Sequence, residues 1–272
     1  MINAIRRLFQ RTAPADAPVE REQTGFFTDT TLCIGCKACE VACKQWNQLP
    51  ADGMRFSGRS YDNTIELSAT TWRHVAFIEQ PAPGGPPAWL MMSDVCKHCN
   101  NAPCREACPT GAIITNEFGS VYIQPDVCNG CGYCISACPF GVIGRSAEDG
   151  HAHKCTMCYD RQRNGMTPAC AQTCPTESIQ FGPIEELRHR ARARLDALRS
   201  AGVEAGLYGA EPSDRYGAMN AFFLLTDAPE VYGLPSDPVR PSRGMARRYG
   251  VSLLAGIGLT ALAAMLLRGN RA

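Results

Sequence analysis

The chain has 272 residues, a formal net charge of +1, and is 45% hydrophobic and 19% charged. The hydrophobic fraction excludes a disordered chain, and the near-neutral balance lacks the basic surplus of a nucleic-acid binder. The length suffices for one or two domains with their own cores, and sixteen cysteines leave three classes open: disulfide scaffold, zinc protein or iron–sulfur protein.

In chain order, residues 1–25 are polar, contain Pro14 and Pro18, and read as an N-terminal arm. Arg6-Arg7-Leu8-Phe9 is followed by Arg11, Asp16 and Glu20 rather than an apolar stretch, so a surface arm is preferred to an export signal. A first cysteine group follows at Cys33, Cys36, Cys39 and Cys43. Thr71 to Ile78 alternates and is β-rich, Pro81 to Pro87 with Gly84-Gly85 is a turn, and Trp89 to Met92 is a returning strand. The second group is Cys96, Cys99, Cys104 and Cys108. Ala112 to Thr115, Gly119 and Val121 to Ile123 predict a small hairpin. The third group is Cys128, Cys131, Cys134 and Cys138, and the fourth is Cys155, Cys158, Cys170 and Cys174. Ser178 to Phe181 is a short strand, so the unit of cluster loop, short helix and short strand repeats. After Pro183, Ile184, Leu187, Ala191, Leu195 and Leu198 recur at helical spacing, Glu185 and Glu186 occupy the first turn, and Gly202 ends the helix. Asn220 to Leu225 predicts a strand, and residues 228–244 a linker over the surface. Tyr249 to Leu267 is uncharged over 19 residues, about 28 Å of helix, and predicts a membrane span.

Spacing decides among the three classes. Groups one and three read C-x2-C-x2-C-x3-C, the bacterial ferredoxin spacing. Groups two and four stretch the middle gap but keep the opening CxxC and closing CxxxC. Pro109, Pro139 and Pro175 follow the last cysteine of groups two, three and four, whereas Lys44 follows group one. Three sulfurs of one tight loop cap three corners of a cubane, and the fourth cysteine serves a neighbouring cluster. Gly35, Gly130 and Gly132 lie between ligands, where a missing Cβ lets the backbone approach. Zinc ribbons need no such quartets, and disulfides inside CxxC are strained. Four complete quartets therefore predict four [4Fe–4S] clusters, with no reason for a [3Fe–4S] centre.

Only four lysines stand against 23 arginines, and each adjoins a ligand: Lys37, Lys44, Lys97 and Lys154. Four clusters at about −2 each move the net charge to roughly −7, so these lysines are candidates for tuning potentials, with Arg105, Arg145, Arg161 and Arg163 as possible helpers. His98 lies inside a quartet and is a candidate donor to cluster sulfur rather than a ligand. No nucleophile–base arrangement, phosphate loop or dinucleotide fingerprint is present, and no catalytic residue is assigned.

The motifs carry a resemblance. CIGCKACEVAC at 33–43 with Lys44-Gln45-Trp46-Asn47, CNGCGYCISACPFG at 128–141 and KCTMCYDRQRNGMTPACAQTCPTESIQFG at 154–182 resemble the iron–sulfur (beta) subunit of membrane-bound formate dehydrogenase. Gly206-Leu207-Tyr208, Tyr232 and Leu234-Pro235 extend the likeness, within the four-cluster electron-transfer subunits of molybdopterin oxidoreductases. The resemblance implies an α+β fold: two nested ferredoxin-like 2[4Fe–4S] units with small β-hairpins and short helices, plus one C-terminal transmembrane helix. Residues 26–95 and 145–182 form the outer unit, 96–144 the inner unit, 183–244 a helix and surface linker, and 245–272 the anchor. It implies crosswise ligation, with all sixteen cysteines as iron ligands. Cys33, Cys36, Cys39 and Cys174 hold cluster 1, and Cys96, Cys99, Cys104 and Cys138 cluster 2. Cys128, Cys131, Cys134 and Cys108 hold cluster 3, and Cys155, Cys158, Cys170 and Cys43 cluster 4. The implied role is non-catalytic: electrons from a molybdenum or tungsten molybdopterin subunit pass to a membrane cytochrome b and quinone. The expected place is the inner membrane, in contact with lipid through residues 249–267, with the cluster domain on the periplasmic side. Alternatives are the same role in a hydrogenase or a sulfur- or nitrogen-oxide reductase, and a membrane-tethered structural zinc protein.

Overall fold

The computed structural model describes residues 22–80, 88–213 and 216–269. The expectations for residues 1–21 and for the turn at 81–87 lie outside them. In chain order the elements are β1 (Thr24–Asp29), α1 (Ala38–Asn47), β2 (Arg73–Gln80), β3 (Ala88–Val95), α2 (Pro103–Glu106), β4 (Ile113–Thr115), β5 (Val121–Ile123) and α3 (Tyr133–Ala137). There follow β6 (Gly144–Arg145), β7 (Ala152–His153), α4 (Tyr159–Arg163), α5 (Ala169–Gln172), β8 (Ile179–Pro183), α6 (Ile184–Ser200), β9 (Gly206–Tyr208), β10 (Ala221–Leu225) and α7 (Met245–Gly269). Strands and helices mix as expected for an α+β chain.

The organising sheet has four strands in the order β8-β1-β10-β9. β1 runs parallel to β10, with Phe27 opposite Phe222, and antiparallel to β8, with Phe26 opposite Phe181. A strand buried on both faces reads as an unbroken apolar run, and every residue of β10, AFFLL, is buried. One face packs on α6, where Phe27, Phe222 and Leu224 meet Ile184, Leu187 and Ala191. The Phe27 and Phe222 rings stack at 5.4 Å. The other face sends Phe26, Phe223 and Leu225 into the core that holds most of the cysteines. Three two-stranded hairpins, β2–β3, β4–β5 and β6–β7, complete the β structure.

α6 spans the helix expected from its apolar spacing, and Gly202 ends it at φ +80°. There the Val203 N–H donates to the Leu198 carbonyl at 2.9 Å, a left-handed helix stop that favours glycine. The expected hairpins and the strand at 220–225 also form. β1 differs from expectation: the sequence places its start in the arm, yet it is the central strand. Its signal is only Phe26-Phe27 between small and polar residues, and its partners lie far along the chain. The linker expected at 228–244 is anchored, because Tyr232 and Leu234 are buried in the main core. The Tyr232 hydroxyl accepts from the Thr226 N–H at 3.4 Å.

The expected membrane span is corrected. Among the described residues no helix is long and apolar enough to cross a membrane. The single-pass anchor, the inner-membrane and periplasmic placement, and lipid contact through residues 249–267 therefore lose their support.

Candidate functional site

Four loops carry the cysteines, and their backbones repeat. Three-residue 3-10 turns, Thr30–Leu32 and Pro125–Val127, lead into Cys33 and Cys128, and both cysteines adopt φ −72°, ψ 123°. The residue before the second cysteine is left-handed in all four groups: Gly35 (φ 68°), His98 (φ 44°), Gly130 (φ 69°) and Met157 (φ 57°). That conformation costs a non-glycine residue energy, and its recurrence turns successive backbone N–H groups toward the loop interior. Sequence reasoning saw the two glycines and missed His98 and Met157, because their residue types carry no such signal.

After the third cysteine the groups diverge. α2, α3 and α5 stop before Cys108, Cys138 and Cys174, each of which precedes a proline that cannot extend a helix. At group one Lys44 replaces proline, and α1 continues through Cys43 to Asn47. The extra turn brings the Asn47 side-chain amide to 3.7 Å from the Cys43 sulfur and 2.8 Å from its carbonyl. It also seats Trp46 under the Arg161 guanidinium at 4.2 Å, with its indole N–H donating to Asp160 at 2.8 Å.

All sixteen cysteines are free thiols, which removes the disulfide alternative. Cys33, Cys36, Cys39 and Cys174 line one cavity. Cys96, Cys99, Cys104 and Cys138 line a second. Cys108, Cys128, Cys131 and Cys134 line a third. In each, the last cysteine of one group joins the first three of another. The remaining four are mutual neighbours: burial, then Cys155, Cys170 and Cys158, push the Cys43 thiol well above its usual range.

Burial pushes Cys39, Cys104 and Cys155 up to about 12, and Cys134 and Cys158 up to about 11. Neighbouring thiols add to the rise in each case. Such groups stay protonated at neutral pH unless a multivalent cation replaces the proton. Cys108 differs. Burial works against it, but the Thr110 hydroxyl and the N–H groups of Ile113, Thr110 and Ala112 hold it below the usual thiol range. Further polar groups approach sulfur: the Ser93 hydroxyl lies 3.3 Å from Cys39 and the Met157 N–H donates to Cys155 at 3.3 Å.

The residues fit a polynuclear cluster better than a single ion. Four soft thiols surround each space, and among the described residues no group of His, Cys, Asp or Glu converges tightly enough to grip one metal ion. A zinc site would draw its sulfurs to about 2.3 Å from a point.

The four lysines divide. Lys37 lies 3.3 Å from both Glu40 and Asp62, and Lys44 lies 2.9 Å from Asp52. Lys97 is buried, pairs with Asp94, and sits near the Phe140 and Phe223 rings at 5.3 and 5.1 Å. Lys154 is 2% exposed and donates to the carbonyls of Val121 and Cys155. Among the described residues no carboxylate pairs with it. Burial opposes its charge, yet Cys96, Cys104 and Cys155 hold its pKa above the ordinary lysine value. Of the arginines, Arg161 is buried and lies near Cys158. Arg105 binds Thr115 at 2.7 Å, Arg145 the Gly150 carbonyl at 3.0 Å, and Arg163 the Tyr159 ring at 5.7 Å, so these three hold surface loops.

His98 is fully buried. Its Nδ1 accepts from the Val121 N–H at 3.1 Å, while Nε2 has no protein partner. Burial, Lys154 and Arg73 keep the ring neutral, so Nε2 carries the proton. The ring lines the cavity of Cys96, Cys99, Cys104 and Cys138, consistent with donation to a bound group. Arg73, Ser93 and Thr110 are not singled out by the sequence, and Asn47 stands out only as part of the Lys44-Gln45-Trp46-Asn47 motif. Of the first three only Thr110 had a readable cue, since Cys108-Pro109-Thr110 recurs as Cys174-Pro175-Thr176.

The chain matches the 4Fe-4S dicluster domain over residues 87–184, and a second family of the same description over residues 32–112. It is 40% identical over 232 residues to the nitrate-inducible formate dehydrogenase iron–sulfur subunit of Escherichia coli, covering 84% of this chain and 77% of that protein. It is 43% identical over 215 residues to the formate dehydrogenase iron–sulfur subunit of Haemophilus influenzae, covering 77% and 68%. Likeness to the B subunit of anaerobic dimethyl sulfoxide reductase of Escherichia coli is 36% over 168 residues, 62% of this chain and 77% of that protein. With sixteen free thiols, twelve of them lining three cavities in quartets, and these identities over most of its length, the protein belongs to the family of formate dehydrogenase iron–sulfur subunits, and its cysteines fit four [4Fe–4S] clusters.

Proposed function

We propose that this chain conducts electrons from a molybdopterin subunit holding molybdenum or tungsten, which oxidises formate, to a membrane cytochrome b that reduces quinone. Bound [4Fe–4S] clusters supply one-electron redox chemistry at a protein-set potential. The chain itself makes and breaks no substrate bond. One observation carries the reading: three cavities are each lined by four cysteines, three from one group and the last from another.

Those walls support ligation of cluster 1 by Cys33, Cys36, Cys39 and Cys174, cluster 2 by Cys96, Cys99, Cys104 and Cys138, and cluster 3 by Cys128, Cys131, Cys134 and Cys108. The mutual proximity of Cys43, Cys155, Cys158 and Cys170 supports cluster 4. On this reading residues 26–95 and 145–182 serve the outer pair and 96–144 the inner pair. Cys36 and Cys131 alone among the sixteen are exposed. They belong to cluster 1 of the outer pair and cluster 3 of the inner pair, so each pair has one cysteine at the surface; entry at the outer pair and exit at the inner one is what the family resemblance implies. The buried cysteines between them exclude water, and Lys154, which no carboxylate pairs with among the described residues, offsets cluster charge.

Anaerobic purification with subunit identification and metal analysis tests the proposal. About sixteen irons and sixteen sulfides per chain, with a molybdenum- or tungsten-containing partner active on formate, is the expected result. A partner that reduces sulfoxides would favour the second reading, for which the likeness to the dimethyl sulfoxide reductase subunit speaks. That likeness covers 62% of the chain, against 77–84% for the formate dehydrogenase subunits named above.

A further inference from the structure

Arg73 opens β2 and is 1% exposed, the largest fully buried side chain among the described residues. Its Nη1 donates to the Ser93 hydroxyl at 3.1 Å and weakly to the Ser93 carbonyl at 3.4 Å. Its guanidinium carbon lies 4.8 Å from the Phe26 ring centre. Nε and Nη2 are buried with no protein partner, and no carboxylate pairs with the group among the described residues. A buried guanidinium is costly, and an apolar residue of similar volume would hold the hairpin against the sheet without that cost. Two orphaned charged donors therefore point to an anionic group absent from the polypeptide.

The neighbours identify that group. The thiols nearest in electrostatic terms are Cys170, Cys39, Cys155 and Cys43. On the ligand assignment above, Cys39 belongs to cluster 1 and the other three to cluster 4. The charge of Arg73 thus acts on ligands of both outer clusters, and its hydrogen bond to Ser93, itself 3.3 Å from Cys39, ties it directly to cluster 1. Its second action is through Ser93. With the serine oxygen accepting from Nη1, the serine proton is free to point at the Cys39 sulfur 3.3 Å away.

We propose that Arg73 is the fixed charge shared by the two outer clusters, raising both reduction potentials and orienting Ser93 onto the Cys39 sulfur. The inference rests on the proposed ligand assignment. It differs from the lysine reading: Lys37 and Lys44, the lysines next to group one in sequence, are offset by Glu40, Asp62 and Asp52, whereas Arg73 is not. Arginine suits the place because its charge does not depend on pH and its planar fork can address two sulfurs while holding Ser93. A positive charge beside a cluster favours the reduced, more negative state, and N–H or O–H donation to sulfur acts in the same direction.

The test is a redox titration followed by electron paramagnetic resonance on the full chain, purified anaerobically with its accompanying subunits. R73M, R73K and S93A are compared with the native protein. In R73M two of the four midpoints should fall and two stay. R73K should restore most of the loss. S93A should lower one of the same two midpoints, by less. R73M with sixteen irons and four unchanged midpoints would overturn the proposal while leaving the clusters in place. If R73M does not assemble, S93A decides: a fall in one midpoint supports the relay, and four native midpoints overturn it. A native complex with fewer than four clusters would sink the underlying assignment instead, an outcome the iron count separates from a failure of Arg73.

Discussion

Lys154→Met removes a buried positive charge while keeping most of the side-chain volume. The ammonium donates to the carbonyl of Cys155 at 3.0 Å, so its charge sits beside that ligand, and Cys96 and Cys104 are its other close thiols. Taking about 7 Å to the centre of a cluster and an effective dielectric constant of about 20, the Coulomb energy is about 2 kcal/mol. For one electron that is roughly 100 mV. On the proposed assignment Cys155 binds cluster 4, while Cys96 and Cys104 bind cluster 2, so both midpoints should fall by about that amount. Lys154→Arg should keep them near native values. The assay is a potentiometric titration read by paramagnetic resonance, with iron content checked in the same sample. A fully loaded K154M protein whose midpoints move by less than about 20 mV would refute the reasoning, because a charge so deeply buried is weakly screened.

Other perturbations test separate links. Cys174→Ala should damage the cluster otherwise held by Cys33, Cys36 and Cys39; a loss at the Cys155 site, seen by paramagnetic resonance, would refute crosswise ligation. Gly25→Ala drives a Cβ into the Asn220 carbonyl oxygen and Ile184 Cδ1, an overpacking that should cost about 1–3 kcal/mol and lower the thermal midpoint. Phe222→Ala empties the interface between the sheet and α6, where Phe222 is fully buried against Phe27. It should cost about 3–5 kcal/mol, measured by thermal unfolding with the iron content unchanged. Cys108 should react with a thiol-alkylating reagent faster than Cys104 in cluster-free protein, since hydroxyl and N–H donors lower one thiol and burial raises the other. Mass-spectrometric mapping of early adducts checks the order.

The cysteine framework was legible because cluster chemistry fixes both residue type and spacing. The hairpins and α6 were legible because their periodicity is local. What escaped the sequence depends on distant partners. Phe26-Phe27 is too short to announce a central strand, and its neighbours Phe222 and Phe181 lie far along the chain. Arg73 was hidden because an arginine opening a strand looks solvated until the fold closes over it. The four lysines stand out by their adjacency to ligands, but adjacency could not show that Asp94, Glu40, Asp62 and Asp52 offset three of them. The apolar C-terminal run was legible as a helix, and α7 is one. Its reading as a span leaned on its uncharged length, its all-round apolar character, its flanking arginines and its place at the end of the chain.

The parallel pairing of β1 with β10 bears on how the protein is made. The Thr30 hydroxyl donates to the Leu224 carbonyl across 194 positions of chain, so the central strand lacks its partner until nearly the whole polypeptide has left the ribosome. Cys96 to Cys138, by contrast, emerge together within one short stretch. Translation therefore delivers the middle of the molecule ready to close while its rim waits, exposed, for the last strand. Delivery of iron and sulfide during synthesis would then proceed from the centre outward.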